Sequence, residues 1–372
     1  MAPSRKSRDL EELIGQLLII GFAGTEMSAP LRSLISRVLP GGVILFARNI
    51  TAADQTSKLL KACQSLVATP MFLCVDMEGG RVDRFRNAIA PAPAPADVFA
   101  TRNRKIFRQH GKIIGDCCRA LGFNTDFAPT LDLAFEASRS VMSSRAVSAN
   151  PKEVALFASE FLKGLRDAGV LGSGKHFPGL GEGKLDSHDE LPIIEKPWKK
   201  LWEQDLLPYR SLRRDLPFVM VGHATYPAVT RDRMPASLSP KWVSEILRKK
   251  IGYRGIIVSD DLEMGGVQAA MATPEAAVAH IRAGGDMALL CHQRDFVTSA
   301  HELLVKEAER DRKFAKRVAE SAVRILAWKK KFPELRRASP VPTTERLERL
   351  SRQLWEFGES VRLAAIARQV RA

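Results

Sequence analysis

Apolar residues in this chain gather in eight short runs, at 17–22, 42–46, 72–75, 123–127, 172–176, 218–222, 255–258 and 287–290. Runs this short do not fill a helix, and near-continuous apolarity is the pattern of a strand buried on both faces. Between them lie longer stretches with helical character, at 52–67, 103–120, 152–168, 240–251 and 274–283. Several open on cap signals: Thr51, Asn150 followed by Pro151, and Thr273 followed by Pro274. Eight buried strands alternating with helices predict an α/β fold, a single-domain (β/α)8 TIM-type barrel of the kind that needs about 250 residues. A doubly wound open sheet would carry an early glycine-rich phosphate loop, and neither GxGxxG nor GxxxxGKS occurs.

After the eighth run the pattern changes. Residues 338–343, Ala-Ser-Pro-Val-Pro-Thr, interrupt helix formation, and Leu347, Leu350, Leu354, Phe357 and Val361 then recur at helical spacing. The expected organisation is a barrel over 1–335, then a linker and a C-terminal amphipathic helix over 336–372, packed on the barrel or on a partner.

Composition narrows this picture in three ways. The net charge is +15, but Arg5, Lys6 and Arg8 hold three of these charges and residues 301–372 hold eight, leaving four over residues 9–300. A terminal excess of this kind reads as a solvated helical face, and no RNA-binding signature or zinc-finger spacing points to a specific nucleic acid. The five cysteines, 63, 74, 117, 118 and 291, sit inside apolar segments with no CxxC spacing, which predicts reduced structural thiols. No apolar run reaches the roughly 18 residues of a transmembrane span, and Asp9, Glu11 and Glu12 precede the first one, so a cytoplasmic protein is expected.

Candidate chemistry lies where the runs end, because parallel barrels build their sites from the C-terminal ends of strands. The third run ends in Asp76, Glu78, Arg81 and Arg84, the fourth in Asp126, the fifth in Lys175 and His176, the sixth in His223, and the seventh in Ser259, Asp260 and Asp261. Carboxylates and cations converging on one mouth suit a polyhydroxylated substrate. A second segment, 177–188, carries glycines at 179, 181 and 183, which suggest a pliable loop, followed by Asp186 and His188. A carboxylate that close in sequence can orient an imidazole and favour its protonated form. Asp260 and Asp261 are strand neighbours, so one is expected to face the mouth and the other to bond sideways.

These segments, in this order, resemble the bacterial β-N-acetylglucosaminidases of glycoside hydrolase family 3. The matching stretches are Gly-Gly-Val-Ile-Leu-Phe-Ala-Arg-Asn (41–49), Val-Asp-Met-Glu-Gly-Gly-Arg-Val-Asp-Arg-Phe-Arg (75–86), Asn-Thr-Asp-Phe-Ala-Pro (124–129), Lys-His-Phe-Pro-Gly (175–179), Asp-Ser-His (186–188) and Ile-Val-Ser-Asp-Asp-Leu-Glu-Met (257–264). The resemblance covers roughly residues 10–335 and implies the barrel already counted. It implies a retaining hydrolase that needs no metal or other cofactor, with Asp260 as nucleophile and His188, paired with Asp186, in place of the second carboxylate of most retaining enzymes. Asp76, Arg84, Arg145, Lys175 and His176 match the positions that bind the N-acetylglucosamine ring, Arg145 through Ser-Ser-Arg-Ala-Val (143–147). The implied partner is a small carbohydrate or muropeptide: N-acetylglucosamine joined to 1,6-anhydro-N-acetylmuramic acid, met in peptidoglycan recycling. Leu180 departs from the family pattern, which has His between the two glycines there.

Three other readings stay open on sequence. A neutral histidine would tolerate phosphate as acceptor, so a phosphorylase is one. A metal-dependent barrel hydrolase using His176, His188, His223, Asp126 and Asp260 is another, although neither HxH nor HExxH spacing is present. A non-catalytic binding protein on the same barrel is the third.

Overall fold

A computed structural model of the chain describes residues 5–183, 191–337 and 339–369. Its eight strands are β1 (Leu18–Ile20), β2 (Gly42–Leu45), β3 (Phe72–Val75), β4 (Thr125–Asp126), β5 (Ser173–Phe177), β6 (Phe218–Val221), β7 (Ile256–Asp261) and β8 (Met287–Leu290). Each falls on one of the eight apolar runs, and β7 extends three residues further. All pair in parallel in the order β4-β3-β2-β1-β8-β7-β6-β5. The remaining seam, between β4 and β5, closes through backbone bonds: Leu171 N to Asn124 O (2.9 Å), Asp126 N to Leu171 O (2.8 Å) and Ser173 N to Ala128 O (2.8 Å). The predicted TIM-type barrel is therefore the fold.

The expected helices form at Ala53–Gln64, Arg104–Leu121, Pro151–Asp167 and Thr273–Ala283, while 241–250 winds as a π-helix, Lys241–Lys250. Asn150 caps its helix by accepting from Lys152 N at 3.0 Å. The other two cap signals resolve differently. Gln55 Oε1, one turn in, takes the N–H groups of Thr51 and Ala52, and Thr273 is itself the first helical residue, behind Ala272.

The barrel interior is filled at its lower end. Phe72 and Phe218 begin strands that are not neighbours, yet their rings meet edge to face at 5.0 Å, and Phe127 packs edge-on to Phe218 at 5.8 Å. Below Phe72, from the helix Arg312–Lys331, comes the ammonium of Lys329, 5.0 Å from the ring centroid and bonded to Gln16 Oε1 and Gly41 O, both at 2.8 Å. From the same helix Arg317 and Arg324, with Arg248, converge on the buried Asp286 at 2.9, 2.5 and 2.6 Å. The basic C-terminal region is thus only partly a solvated face: three of its cations turn inward to hold the base of the barrel.

Lys329 makes a pH prediction. Burial strips its ammonium of water and pulls its pKa down to about 7. An unfolded lysine titrates near 10.4, so between the two values the unfolded chain binds more protons, and this residue's contribution to stability rises with pH across that window and is flat below it. The five buried cysteines, whose thiols titrate once exposed, act in the opposite sense, so the comparison must be with Lys329→Met. Chemical denaturation at pH 7 and pH 10 is expected to show wild type gaining on the order of 4 kcal/mol relative to that variant. Parallel pH dependences for the two proteins would rule out a neutralised Lys329.

The C-terminal helix Thr344–Gln369 lies on the helices Arg104–Leu121 and Pro95–Ala100. Leu350, Leu354, Phe357 and Val361 are buried as their spacing predicts, Phe357 stacks on His110 at 5.8 Å, and Ser351 Oγ donates to Ile89 O at 2.8 Å. No helix among the described residues is long and apolar enough to cross a membrane.

Candidate active site

The upper ends of β2, β3, β5, β6, β7 and β8 surround a cavity of about 350 Å³, lined among others by Phe46, Asp76, Lys175, His176, Met220, Asp260 and Leu289. Arg81 and Arg84 reach it from the segment after β3, and Arg145 from the long segment after β4. Six of the eight site residues expected from sequence, Asp76, Arg84, Arg145, Lys175, His176 and Asp260, are therefore brought to one cavity. The other two, Asp186 and His188, lie outside the described residues.

A buried ionic lattice orders the floor. Lys175 Nζ stands 2.6 Å from Asp76 Oδ1 and 2.8 Å from Glu78 Oε1. Glu78, 1% exposed, also receives Arg145 through two parallel bonds of 2.8 Å, Nε to Oε2 and Nη2 to Oε1. Burial by itself would lift the Glu78 pKa, but the charges and hydrogen bonds of Arg145 and Lys175 outweigh it and hold the carboxyl below the ordinary range. Burial likewise opposes the Lys175 ammonium, and Asp76 and Glu78 more than reverse that, raising its pKa. Glu78 thus stays ionised between the Arg145 and Lys175 cations in a fixed array. Lys175 and His176 are consecutive, both line the cavity, and the peptide between them is cis.

His176 is oriented by Asp132, whose Oδ2 lies 2.7 Å from Nδ1 and accepts the His176 backbone N–H at 3.1 Å. The other oxygen, Oδ1, accepts Leu180 N at 2.7 Å. Leu180, the departure from the family pattern, is buried and lines the cavity, and its backbone is tied to the same carboxylate that holds His176. Arg84 Nε is buried with no hydrogen-bond partner among the described residues, and the residue lines the cavity.

At β7 both neighbouring aspartates line the cavity, where strand alternation would put one on each side. The ladder with β8 slips between Val258 and Asp261, and this irregularity brings the second residue round. Their bonding still separates them. Asp261 is engaged sideways, with Oδ1 accepting Glu263 N at 3.0 Å and Oδ2 3.2 Å from His292 Nε2, while Asp260 Oδ1 accepts Asp261 N at 2.9 Å. The Asp261 contact raises the His292 pKa, and that ring stacks with Phe46 at 6.0 Å on the cavity wall.

Of the strand-end groups, Glu78, Asp126, His223 and Ser259 are not among the residues lining the cavity. His223 places one ring nitrogen 2.8 Å from Ser237 Oγ and the other 2.9 Å from Asp261 O, and burial lowers its pKa. Asp126 is fully buried; its Oδ1 accepts Met77 N at 2.9 Å, and burial pushes its carboxyl well above the ordinary range. Among the described residues no three His, Cys, Asp or Glu side chains gather as a metal ion would need, and the geometry gives His223 and Asp126 structural work instead. Sequence reasoning missed Asp132 and His292 as site residues and did not assign Glu78 a role. Glu78 was visible as the second acid of Asp-x-Glu; Asp132, six residues past Asp126, carried no such signal.

The model of the glycosyl hydrolase family 3 N-terminal domain matches residues 9–327. A β-hexosaminidase of Alkalilimnicola ehrlichii is 39% identical over 292 residues, 77% of this chain and 83% of that protein. One from Idiomarina loihiensis is 36% identical over 281 residues, 74% and 84% of the two chains. Among solved structures, a glycoside hydrolase family 3 β-N-acetylglucosaminidase from Paenibacillus superposes with a TM-score of 0.87 at 31% identity, over 96% of this chain and 69% of that one.

Proposed function

We propose, from the premise that this chain belongs to glycosyl hydrolase family 3, that it removes terminal β-linked N-acetylglucosamine with retention, Asp260 acting as nucleophile and His188, paired with Asp186, carrying the proton. The chain is a glycoside hydrolase of the β-hexosaminidase type. The observation that carries the finer reading is the cavity in which Asp260 stands at the end of β7 among Asp76, Arg84, Arg145, Lys175 and His176 from three other parts of the barrel.

The chemistry follows from that arrangement. A sugar whose hydroxyls bond the Asp76–Lys175 pair, Arg84, Arg145 and His176 is held for attack by the Asp260 carboxylate on the anomeric carbon. As the bond to the departing oxygen breaks, His188 donates its proton to that oxygen, leaving a covalent glycosyl ester on Asp260. Neutral His188 then takes a proton from water, whose oxygen displaces Asp260 and restores the original anomeric configuration. A fixed ionic floor suits this reaction because it needs no reorganisation as charge develops at the ring.

Beyond the sugar, the mouth carries the exposed Arg81 and the Asp261-bound His292, with Arg48 over the Phe46 ring at 4.5 Å. Cations and an aromatic edge there favour an aglycone bearing carboxylates. This supports N-acetylglucosaminyl-1,6-anhydro-N-acetylmuramic acid, with or without peptide, as the natural substrate, in cytoplasmic peptidoglycan recycling. The test is a 5-fluoro N-acetylglucosaminyl fluoride, which slows release of the intermediate. Intact mass is expected to rise by one glycosyl group, with the label on the peptide containing Asp260; a label elsewhere would refute the nucleophile, and inversion of the product anomer would refute the mechanism.

A further inference from the structure

The lower end of the barrel holds a second cavity, of about 430 Å³ against about 350 Å³ at the upper mouth. It lies by the starts of β3 and β4, where Leu73 and Asn124 line it together with Leu60, Pro70 and Leu335. The polar side chains of this wall are already taken up by backbone. Asn124 Oδ1 accepts Leu73 N at 2.8 Å while its amide donates to Met71 O at 3.0 Å, and Gln64 Oε1 accepts Met71 N at 2.7 Å. The wall therefore offers a ligand mainly hydrocarbon.

Charge of one sign surrounds that wall. Lys61 comes from the helix Ala53–Gln64, Arg119 from the last turn of Arg104–Leu121, and Arg336 and Arg337 from the turn that follows the barrel. No Asp or Glu is among the described lining residues, and among the described residues none of the four cations has a carboxylate within ion-pair distance. The half-buried Arg119 guanidinium donates to Phe123 O at 3.4 Å and to Arg337 O at 3.0 Å. Burial, joined by the like charges of Arg346 and Arg337, holds its pKa below the ordinary guanidinium value, although Glu334 pulls the other way. Like charges crowded about a partly desolvated guanidinium oppose folding, and a bound anion relieves that repulsion.

We propose that this cavity is a second binding site, for a small organic diphosphate such as a nucleoside diphosphate, with Lys61, Arg119, Arg336 and Arg337 on the phosphates and Leu60, Leu73 and Leu335 against the apolar part. The volume is that of a small-molecule site. Each arginine can give two parallel hydrogen bonds to a phosphate, so three arginines and a lysine match more than one phosphate group. The hydrocarbon wall calls for a ligand with more than its anions. A nucleic-acid strand would need the positive charge to run on as a groove. Toward Arg166 it does not, because Glu334 lines the adjoining cavity of about 80 Å³.

The experiment titrates ADP into the whole protein by calorimetry in about 0.15 M NaCl, with inorganic pyrophosphate and adenosine as the two halves of the probe. ADP is expected to fill one site with a Kd of about 20 μM, pyrophosphate to bind about tenfold more weakly, and adenosine to give no measurable heat. Arg119→Met is expected to weaken ADP about 30-fold. Lys61→Glu and Arg336→Glu, at exposed positions, are expected to cost about tenfold each, and they decide the matter if Arg119→Met does not fold. All three variants are expected to keep the wild-type kcat and KM on an aryl β-N-acetylglucosaminide, since they stand at the end of the barrel opposite Asp260. Undiminished ADP affinity in Lys61→Glu and Arg336→Glu, or its loss in Arg81→Glu at the upper mouth instead, overturns the site. So does equal affinity for ADP and pyrophosphate, or binding shown only by a single-stranded oligonucleotide or by phosphatidylglycerol vesicles.

Discussion

An Asp260→Asn variant is expected to fold as wild type and to lose at least about a thousandfold in kcat on aryl β-N-acetylglucosaminides. The substitution keeps the shape and keeps an oxygen to accept the Asp261 N–H, a bond of 2.9 Å, while removing the negative charge proposed to attack the anomeric carbon. The same change at Asp261 acts differently. Its carboxylate bonds Glu263 N and His292 Nε2, so Asp261→Asn disturbs the wall of the cavity and is expected to cost about tenfold. A companion test uses Asp260→Gly with azide: an anion entering the vacated space is expected to give the α-glycosyl azide, the stereochemistry of a nucleophile replaced in place. Retention of more than about a tenth of the wild-type rate by Asp260→Asn would transfer the role elsewhere.

A loss of stability and activity together is expected at Glu78. Among the described residues it is the carboxylate that pairs with both Arg145 and Lys175, and Glu78→Gln leaves Lys175 with Asp76 alone and Arg145 without its paired carboxylate. Breaking a buried ionic contact on one side destabilises by about 3–5 kcal/mol, and the loss should register as a lowered denaturation midpoint with an unchanged slope. Because Arg145 and Lys175 both line the cavity proposed to hold the sugar, kcat/KM is expected to fall about 100-fold as well. The pH sense follows from the depressed Glu78 pKa. Its stabilisation is complete above the ordinary carboxylate range, where the unfolded chain is ionised too, and is lost as pH falls through the lower folded value. The gap between wild type and Glu78→Gln is therefore constant near neutrality and narrows progressively once pH falls into and below the ordinary carboxylate range. Equal stabilities at pH 7 would mean that the lattice is held by other contacts.

The barrel was legible because buried parallel strands impose apolar continuity along the chain, and each of the eight runs became a strand. Strand-end chemistry was legible for the same reason: where apolar continuity breaks at the top of a barrel, a polar residue is exposed to the cavity. Asp76, Lys175, His176 and Asp260 could be found that way, and all line it. The same rule over-reads Asp126 and His223, which end strands but turn to backbone and hydroxyl partners beneath the cavity. Their side-chain directions depend on neighbouring strands, a relation that no local pattern encodes.

Local periodicity determined the number of strands, the helical spacing of the C-terminal segment and which charged residues stand at strand ends. It could not determine pairing between distant residues. Glu78 joins Arg145 across 67 positions, and Lys329 meets Gln16 across 313. Nor could it separate slack from tight packing, since a glycine reads the same in both cases, and only the neighbours brought up by folding show that Gly179 and Gly181 are there for want of room. The irregularity that turns both Asp260 and Asp261 toward the cavity is likewise a property of the β7–β8 ladder and not of either strand alone. Covalent neighbours dictate which elements form; the environment of each charge, and with it what that charge can do, exists only once the barrel has closed.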